Sequence, residues 1–492
     1  MALLLPEPRL TRPALAVLCL ATFVAVVHSA MSSIVLPDVK DDFGVPDDQL
    51  TWFVTAFILT FATGTLVYGR IADMVGTRWP LIVGVGIFAA GAFATAAAPD
   101  FWLAVAGRAA MGAGATAIPA LSTATIVRTT SAGQRGRALG WIVASVGLGF
   151  AAGPLLGAVI TEEFGWQGPL VATGGAALVV MLATALFVSD APGTDQRGFD
   201  AIGAVLFAVA VSASLIALNR LPANPGSTPG LVALAVAPIA VIAFAIWIAK
   251  RRRPFLEPGL LKRGRFMAFS LIGLLVQGMH FGVVVLLPLF WTRYHGLSFI
   301  EVGLHFLPGA LALAFFGTTG GFIIERFGSR VPIIIGSWIA ANGAFALFLA
   351  GANWSDWQVA GLYGVVAAGY GLTNAALMHG ATSALDESET GVGVGVYTLS
   401  FFLGGAISSA LAGAILRARE GTLQAWLPFY KGTAPEFSDA FAVVAAMAAL
   451  AFVVALVMPV ERRETPVSAG FPLAEAAGDR WLFDRQKPIR NR

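Results

Sequence analysis

Two histidines and one arginine are the side chains in this sequence whose type and position suggest chemistry. His28 and His280 each lie midway along a long apolar stretch, and 252 residues separate them. Arg108 is the one charged residue well inside another apolar stretch. An ionisable group among apolar residues is costly, so each of the three is a functional candidate. Because imidazole titrates near a pKa of about 6.5, a histidine there can bind and release a proton at physiological pH.

The apolar stretches around these residues indicate what surrounds the chain. Of its 492 residues, 57% are hydrophobic and 12% are charged, and a typical soluble domain has about 25% charged residues. The surroundings must therefore be largely lipid. The net charge of +3 is spread over short loops, which argues against a nucleic-acid interface. The single cysteine, Cys19, provides no thiolate cluster, and we expect neither a metal site nor a cofactor.

Fourteen apolar runs are long enough to cross a membrane. A helix needs about 20 such residues to span a hydrocarbon core of about 30 Å, and its backbone hydrogen bonds then stay internal. The sequence therefore predicts an all-α polytopic membrane protein. The first run continues past a signal-like stretch of small residues, so we expect it to be a retained span. The predicted spans are residues 14–36, 50–69, 80–98, 101–127, 137–160, 168–188, 200–219, 230–249, 266–290, 302–324, 331–351, 356–379, 391–416 and 437–459.

The loop charges predict the orientation of the spans. Residues 37–49 hold five aspartates and one lysine, whereas residues 250–265 hold seven positive charges. Lysine and arginine concentrate in cytoplasmic loops. We therefore expect both termini in the cytoplasm and the protein in the cytoplasmic membrane.

The spacing of 252 residues recurs outside the histidines. It relates Gly44 to Gly296, and it relates two ten-residue loops that follow the second and tenth runs. A shared offset of this kind predicts two copies of one six-helix unit. The expected domains are a bundle at residues 14–188, an inserted helix pair at 200–249, a basic linker at 250–265, a second bundle at 266–459 and a cytoplasmic tail at 460–492. The matched loop positions are Gly69, Asp73, Gly76 and Arg78 in the first loop, and Gly321, Glu325, Gly328 and Arg330 in the second.

The two loops also suggest a mechanical role. A carboxylate such as Asp73 or Glu325 near a helix start meets unpaired N–H groups and the positive end of the helix dipole. Arg78 and Arg330 can pair with nearby acids or with lipid phosphates. Such contacts break and reform readily, which suits a conformational switch. The alternative is that these charges only fix the topology of the loops.

These motifs resemble those of the major facilitator superfamily, specifically its fourteen-helix drug–proton antiporter branch. Residues 69–78 are similar to its loop after helix 2, residues 108–112 to its helix 4 motif, and residues 149–157 to its helix 5 antiporter motif. Residues 52–78 and 254–260 are most similar to fourteen-helix tetracycline exporters. The resemblance covers most of residues 14–459. It implies a monomeric transporter that exports a drug-like, hydrophobic or amphipathic small molecule by alternating access and proton antiport.

The chain departs from this branch at positions that matter for coupling. Met111 replaces the usual glutamine of the helix 4 motif, Phe150 replaces an acid of the tetracycline exporters, and no acid lies in the middle of a predicted span. We therefore hypothesise that His28 and His280 form a protonatable pair, with Arg108 as a further coupling candidate. One alternative is two neutral histidines hydrogen-bonded in the helix packing. Another is a lipid or metabolite carrier that is not coupled to protons.

The resemblance also suggests where a substrate binds, because the helices of His28 and His280 line the central cavity in this superfamily. A few polar groups on an apolar wall suit an amphipathic ligand. No nucleotide-binding loop, metal cluster or catalytic dyad in the sequence supports an enzyme. The cavity candidates are Ser32, Ser33, Phe150, Gln277, Phe281 and Asn374.

Helix 5 carries a further pattern. Gly149, Gly153 and Gly157 recur every four residues, which predicts a flat face for close helix contact. Pro154 removes a backbone hydrogen bond and favours a kink. We expect this face to form a bent interface between the halves, and the alternative is a static packing face.

Overall fold

The computed structural model describes residues 10–458, except 33, 191–192, 194–197, 222–225, 252–253, 255, 257, 351–353, 387–388, 423 and 427–433. The described residues are almost entirely helical and contain no strand. The predicted tail at 460–492 and the candidate Ser33 lie outside them. The helices are α1 (Arg12–Met31), α2 (Leu36–Phe43), α3 (Asp47–Val75), α4 (Arg78–Ala96), α5 (Phe101–Ala115), α6 (Ala117–Thr129), α7 (Ala132–Phe164), α8 (Gln167–Phe187), α9 (Ala201–Arg220), α10 (Thr228–Lys250), α11 (Pro258–Leu261), α12 (Gly264–Tyr294), α13 (Phe299–Phe327), α14 (Arg330–Ala350), α15 (Asp356–Ser383), α16 (Thr390–Ala418) and α17 (Pro435–Val457).

The helices match the predicted spans closely. Within the described residues, thirteen candidate spans are long and apolar enough to cross a membrane. The remaining predicted run, 356–379, lies inside α15, which has 28 residues but is less apolar than those thirteen. Its glycines, Tyr363, Tyr370 and Asn374 account for that difference. The all-α membrane fold predicted from composition is confirmed.

The predicted span 101–127 is a pair of helices. α5 and α6 meet at Thr116, where the helix is interrupted. Thr116 packs against α3 at a glycine: a Cβ added to Gly64 would lie 2.4 Å from Thr116 Cγ2. The glycine therefore leaves room for the side chain at the break.

The buried apolar side chains form two clusters. One draws its fully buried members from residues 10–188, and the other draws most of them from residues 256–458. We call α1 and α3–α8 the N-terminal bundle, and α12–α17 the C-terminal bundle. The bundles meet where α3 contacts α16 and where α7 contacts α13. α10 packs on α9, and α9 contacts α3 and α16, so this helix pair lies beside the α3–α16 contact.

Glycines at the repeat-related turns share one backbone conformation. Gly44 and Gly296 have φ of 60° and 65°, and Gly76 and Gly328 have φ of 93° and 75°. Such positive φ angles favour glycine because it has no Cβ. Each glycine directly follows a helix or its last cap. The 252-residue offset in the sequence therefore coincides with two matched pairs of turns.

Candidate functional site

Arg108 is the centre of a buried polar network in the N-terminal bundle. Its side chain is 2% exposed. Nε donates to Phe53 O at 3.0 Å, and the guanidinium carbon lies 4.9 Å and 4.8 Å from the ring centres of Phe53 and Phe57. One terminal nitrogen lies 2.7 Å from His28 Nε2, and the other donates to Ser32 Oγ at 3.3 Å. These partners are all neutral groups, so the guanidinium is hydrogen-bonded but its charge is not balanced by a contacting carboxylate.

The hydrogen bonds determine the protonation state of His28. A guanidinium only donates, so His28 Nε2 must accept from Arg108. Thr173 uses its hydroxyl proton on Pro169 O at 2.7 Å, so its oxygen accepts from His28 Nδ1 at 3.3 Å. His28 is therefore neutral and carries its proton on Nδ1. Protonation of Nε2 requires Arg108 to move away.

His280 lies in a different environment in the C-terminal bundle. Its side chain is fully buried, and neither ring nitrogen has a hydrogen-bond partner among the described residues. The ring stacks on Tyr370 with centroids 4.0 Å apart, and Tyr363 lies 6.2 Å away. Phe150 of α7 reaches across from the N-terminal bundle to 6.0 Å. This imidazole is held by aromatic packing.

The structure does not bring the two histidines together as a pair. His28 contacts Arg108 and Thr173, whereas His280 contacts tyrosines and Phe150. Equal spacing along two repeats places residues at equivalent positions of two bundles, and such positions need not touch. The hypothesis that the two histidines act as a protonatable pair stays a prediction, with each imidazole in its own surroundings in this conformation. His28 is hydrogen-bonded within the helix packing, whereas neither ring nitrogen of His280 has a partner among the described residues.

A short polar chain lies next to His280. Tyr370 donates its hydroxyl proton to Gln277 Oε1 at 2.8 Å, and Asn374 Nδ2 donates to the Tyr370 oxygen at 3.2 Å. Gln277 and Asn374 were identified from the sequence as cavity candidates, and Tyr370 was missed. The available signal was a phenol in the middle of an apolar run, since a buried tyrosine hydroxyl needs a hydrogen-bond partner.

Aromatic rings connect the two bundles at mid-depth. Phe57 and Phe61 of α3 lie 5.9 Å apart, and Phe61 meets Phe402 of α16 at 4.7 Å. Phe401 lies 5.8 Å from Phe402 and 6.4 Å from Tyr370. The series therefore runs from the rings around Arg108 to those around His280. Sequence analysis identified Phe150 but missed Phe61, Phe401 and Phe402. The candidate Phe281 packs against α16, where a Cβ on Gly405 would lie 3.2 Å from its ring.

A cavity of about 520 Å³ lies elsewhere, between α3, α4, α5 and α9. Its lining includes Tyr68, Trp79 and Ala208 and none of the cavity candidates from the sequence. Val75, Trp79 and Val83 on its rim are strongly exposed. This cavity has a mostly apolar lining and shares no residue with the polar chain next to His280, so we separate it from the polar centre between the bundles.

Asp73 connects the two bundles at the end that carries the repeated loops, which we call the motif-loop end. Its carboxylate is fully buried and accepts from Gly391 N at 2.8 Å and Val392 N at 2.9 Å, at the start of α16. It also pairs with Arg128 of its own bundle. The backbones touch here, because a Cβ on Gly69 would lie 2.3 Å from Gly391 O. An acid from one bundle thus caps a helix of the other.

The second motif loop makes the matching contact between the bundles. Glu325 of α13 pairs with Arg137 of α7 at 2.6 Å. The motif arginines lie elsewhere: Arg78 donates to Ala185 O, and Arg330 donates to Leu456 O at 3.2 Å. Each of these arginines therefore ties two helices of the same bundle together.

The glycine face of α7 packs inside its own bundle. A Cβ on Gly149 or Gly153 would lie 2.8 Å from Val26 or 2.4 Å from Ala30, and Gly157 faces Met31 and Ile34, all in or just after α1. The expected interface between halves is therefore wrong for these glycines. α7 meets α13 of the other bundle through Gly136, Gly140 and Gly147 instead. Helical periodicity predicts a face but does not specify which neighbour it meets. Pro154 lies within the uninterrupted α7, and its side chain is outside the described residues.

Arg263 links the basic linker to the start of α16. It pairs with Asp386 at 2.7 Å and with Glu389 at 2.8 Å. The hydrogen bond to Asp386 raises the pKa of the Arg263 guanidinium. This contact lies next to the residues that Asp73 caps.

The two helical bundles are joined by charged contacts at one end and by aromatic and polar side chains at mid-depth. This arrangement is typical of membrane transporters that are built from two bundles. The family model described as Major Facilitator Superfamily matches residues 18–409. The chain belongs to this superfamily, as its motifs predicted.

Known relatives and a solved structure agree with that assignment. The chain is 25% identical over 402 residues to "Multidrug resistance protein Stp" of Mycobacterium tuberculosis, covering 81% of this chain and 74% of that protein. It is 26% identical over 406 residues to "Methylenomycin A resistance protein" of Bacillus subtilis, covering 82% and 87%. The fold is similar to the crystal structure of the human organic anion transporter MFSD10 (TETRAN), with a TM-score of 0.63, 15% identity, and 92% and 100% coverage.

Proposed function

We propose that this transporter exports hydrophobic or amphipathic small molecules of drug or antibiotic type by alternating access between its bundles. The observation that carries the proposal is the cross-bundle contact at the motif-loop end. There Asp73 caps α16 and Arg137 pairs with Glu325. Charged contacts at a rim can exchange their partners for water and reform, as a switch between two arrangements requires. The relatives named for multidrug and methylenomycin resistance support an export role.

The substrate surface lies between the bundles at mid-depth. Gln277, Asn374 and Tyr370 offer hydrogen bonds, and Phe150 offers an aromatic face from the opposite bundle. A few polar groups on an aromatic wall fit an amphipathic ligand. Ser32 supports Arg108 instead, because its hydroxyl oxygen accepts from that guanidinium.

Protons drive the export through His28 and Arg108. In this conformation Arg108 occupies Nε2 of His28, so the imidazole is neutral. A conformation that withdraws the guanidinium exposes Nε2 to a proton. Proton binding then favours that second conformation, and release favours the present one.

The orientation follows from the basic loops. We assign the motif-loop end to the cytoplasm, with both termini on that side of the cytoplasmic membrane and the protein acting as a monomer. The close contacts between bundles described above lie between that end and mid-depth. The present structure then corresponds to a state that is closed toward the cytoplasm.

An accumulation assay tests the export function. Cells that lack their own major exporters would express the wild type or Asp73→Asn, and intracellular antibiotic would be measured across a panel of compounds. We expect lower accumulation of at least one amphipathic compound with the wild type than with the variant. Equal accumulation across the panel, with both proteins present in the membrane, contradicts export.

A second function, a metabolite or lipid carrier that is not coupled to protons, is favoured by two observations. No acid lies in the middle of a span, and the His28 ring nitrogens are both engaged. A pH jump across proteoliposomes separates the two functions. Antiport predicts that substrate addition moves protons, whereas the carrier predicts substrate movement without proton flux.

A further inference from the structure

Positive and negative side chains occupy different depths in the membrane-spanning helices. Arg108 lies about 10 Å from the start of α5, at a rise of about 1.5 Å per residue, and is 2% exposed. Every acid within a described spanning helix lies within five residues of a helix end. Asp73, Glu325 and Asp439 pair there with Arg128, Arg137 and Arg419. Within the described spanning helices, the interior therefore keeps one positive charge, that of Arg108, and no negative charge.

The partners of Arg108 do not neutralise that charge. They are a backbone carbonyl, a hydroxyl, the Met111 thioether, two aromatic faces and the neutral imidazole of His28. Hydrogen bonds to such groups satisfy the N–H donors but leave a net charge of +1. In a low-dielectric interior this charge acts over a longer range than it would in water.

The aromatic contact between the bundles at mid-depth lies within reach of this field. The guanidinium carbon is 4.8 Å from the Phe57 centroid, which is 5.9 Å from that of Phe61 at the contact with Phe402. Like charges about 10 Å apart, at an effective dielectric of about 20, repel enough to change a binding constant roughly fifteenfold. Cation–π contacts with exposed rings would attract a cationic substrate, but by less than this repulsion. The rings nearest Arg108, those of Phe53 and Phe57, already contact its guanidinium.

We propose that this protein selects neutral and anionic amphipathic molecules and discriminates against lipophilic cations, with Arg108 as the specificity-determining charge. Gln277, Asn374 and Tyr370 supply neutral donors and acceptors. Phe150, which faces His280 across the bundles, provides an aromatic ring and no carboxylate that could balance the charge of a cation. This inference rests on the proposed export function for its physiological meaning, but it can be measured as binding alone.

Three dyes with one xanthene core provide the test. Fluorescein is an anion, its methyl ether methyl ester is neutral, and rhodamine 123 is a cation. Binding to the purified full chain in nanodiscs would be measured by fluorescence polarisation, and transport in proteoliposomes. We expect rhodamine 123 to bind about tenfold more weakly than the other two. Equal binding, tighter binding of rhodamine 123, or no binding by any dye overturns the inference.

Two variants assign the discrimination to charge. Arg108→Gln removes the buried cation, and Arg293→Gln makes the same change at an exposed helix end. We expect the first to reduce the discrimination severalfold and the second to keep it. If Arg108→Gln fails to fold, Phe150→Asp adds the compensating charge, with Phe150→Asn as its neutral control. Rhodamine 123 should then bind the Asp variant severalfold more tightly, and unchanged binding overturns the inference.

The dyes also separate this inference from the export function. If fluorescein and its neutral ester bind more tightly than rhodamine 123 but none of them crosses the vesicle membrane, the charge selectivity stands and export of such compounds fails. If all three are exported equally, export stands and the selectivity fails.

Discussion

At the scale of single residues, the account depends on how Arg108 is held. The guanidinium reaches α1 and α3 through three separate nitrogens. Lysine has one terminal nitrogen and cannot serve acceptors in this planar arrangement. We expect Arg108→Lys to lower stability by about 2–4 kcal/mol, since buried acceptors lose their donors. Thermal unfolding in detergent measures the effect. A melting temperature equal to that of the wild type would contradict the network.

His28 gives a prediction about pH. Glutamine can accept from Arg108 and donate to Thr173, as the neutral imidazole does, but it cannot bind a proton. We expect His28→Gln to bind substrate and to lose the pH dependence of transport between about pH 5.5 and 8. In the wild type, acid favours the conformation in which Arg108 has left Nε2. Transport by His28→Gln with the wild-type pH profile would exclude His28 as the coupling site.

The sequence predicted these residues but not their contacts. His28 and Arg108 stand out because ionisable groups inside apolar runs are rare. Their contact joins residues 80 positions apart on different helices, and periodicity within one helix carries no information about that. The offset of 252 residues suggested that His28 pairs with His280, because it relates equivalent positions of two repeats. That offset carries no information about the distance between the two side chains.

At the scale of helices, small residues determine which helices touch. Gly153 of α7 faces Ala30 of α1, where a Cβ would lie 2.4 Å from the Ala30 Cβ. Gly175 of α8 has open space around it. Both lie within helices, so a change to alanine brings the same helix-propensity gain of about 1 kcal/mol. We expect Gly153→Ala to destabilise by about 1–2 kcal/mol net and Gly175→Ala to be neutral or stabilising. Equal effects in thermal unfolding would contradict the packing.

Helix α16 depends on an acid from the other bundle. Asp73 accepts from Gly391 and Val392 N–H, and an asparagine there loses the charge that the helix start favours. We expect Asp73→Asn to weaken the closed arrangement by about 1–2 kcal/mol. Spin-label distances across α3 and α16 at the motif-loop end should become longer. Asp190→Asn, which alters an exposed acid beside Arg78, is the control and should leave the distances unchanged.

Helix positions were more predictable than helix partners. Apolar run length sets the spans, because lipid requires internal backbone hydrogen bonds along each of them. The break at Thr116 and the packing of α7 glycines on α1 depend on neighbours that no single run encodes. The carboxylate in the first motif loop was expected near a helix start, and that start belongs to α16, more than 300 residues away.

At the scale of the whole molecule, the contacts between bundles are unevenly distributed. Two charged contacts lie at the motif-loop end, one between Asp73 and α16 and one between Arg137 and Glu325. The aromatic contact between Phe61 and Phe402 lies at mid-depth. Alternating access predicts that this end opens when the opposite end closes. If the bundles only pack statically, the distances between them stay fixed at both ends.

Pulsed spin-label distances at both ends test this central claim most directly. The lone cysteine would be replaced by Cys19→Ser, and labels placed at exposed positions: Gln134 with Arg326 at the motif-loop end, and Glu163 with Ile300 at the other. We predict two populations whose distances change in opposite directions when substrate or pH changes. One unchanging distance at each end, in a protein that transports, would contradict alternating access between these bundles.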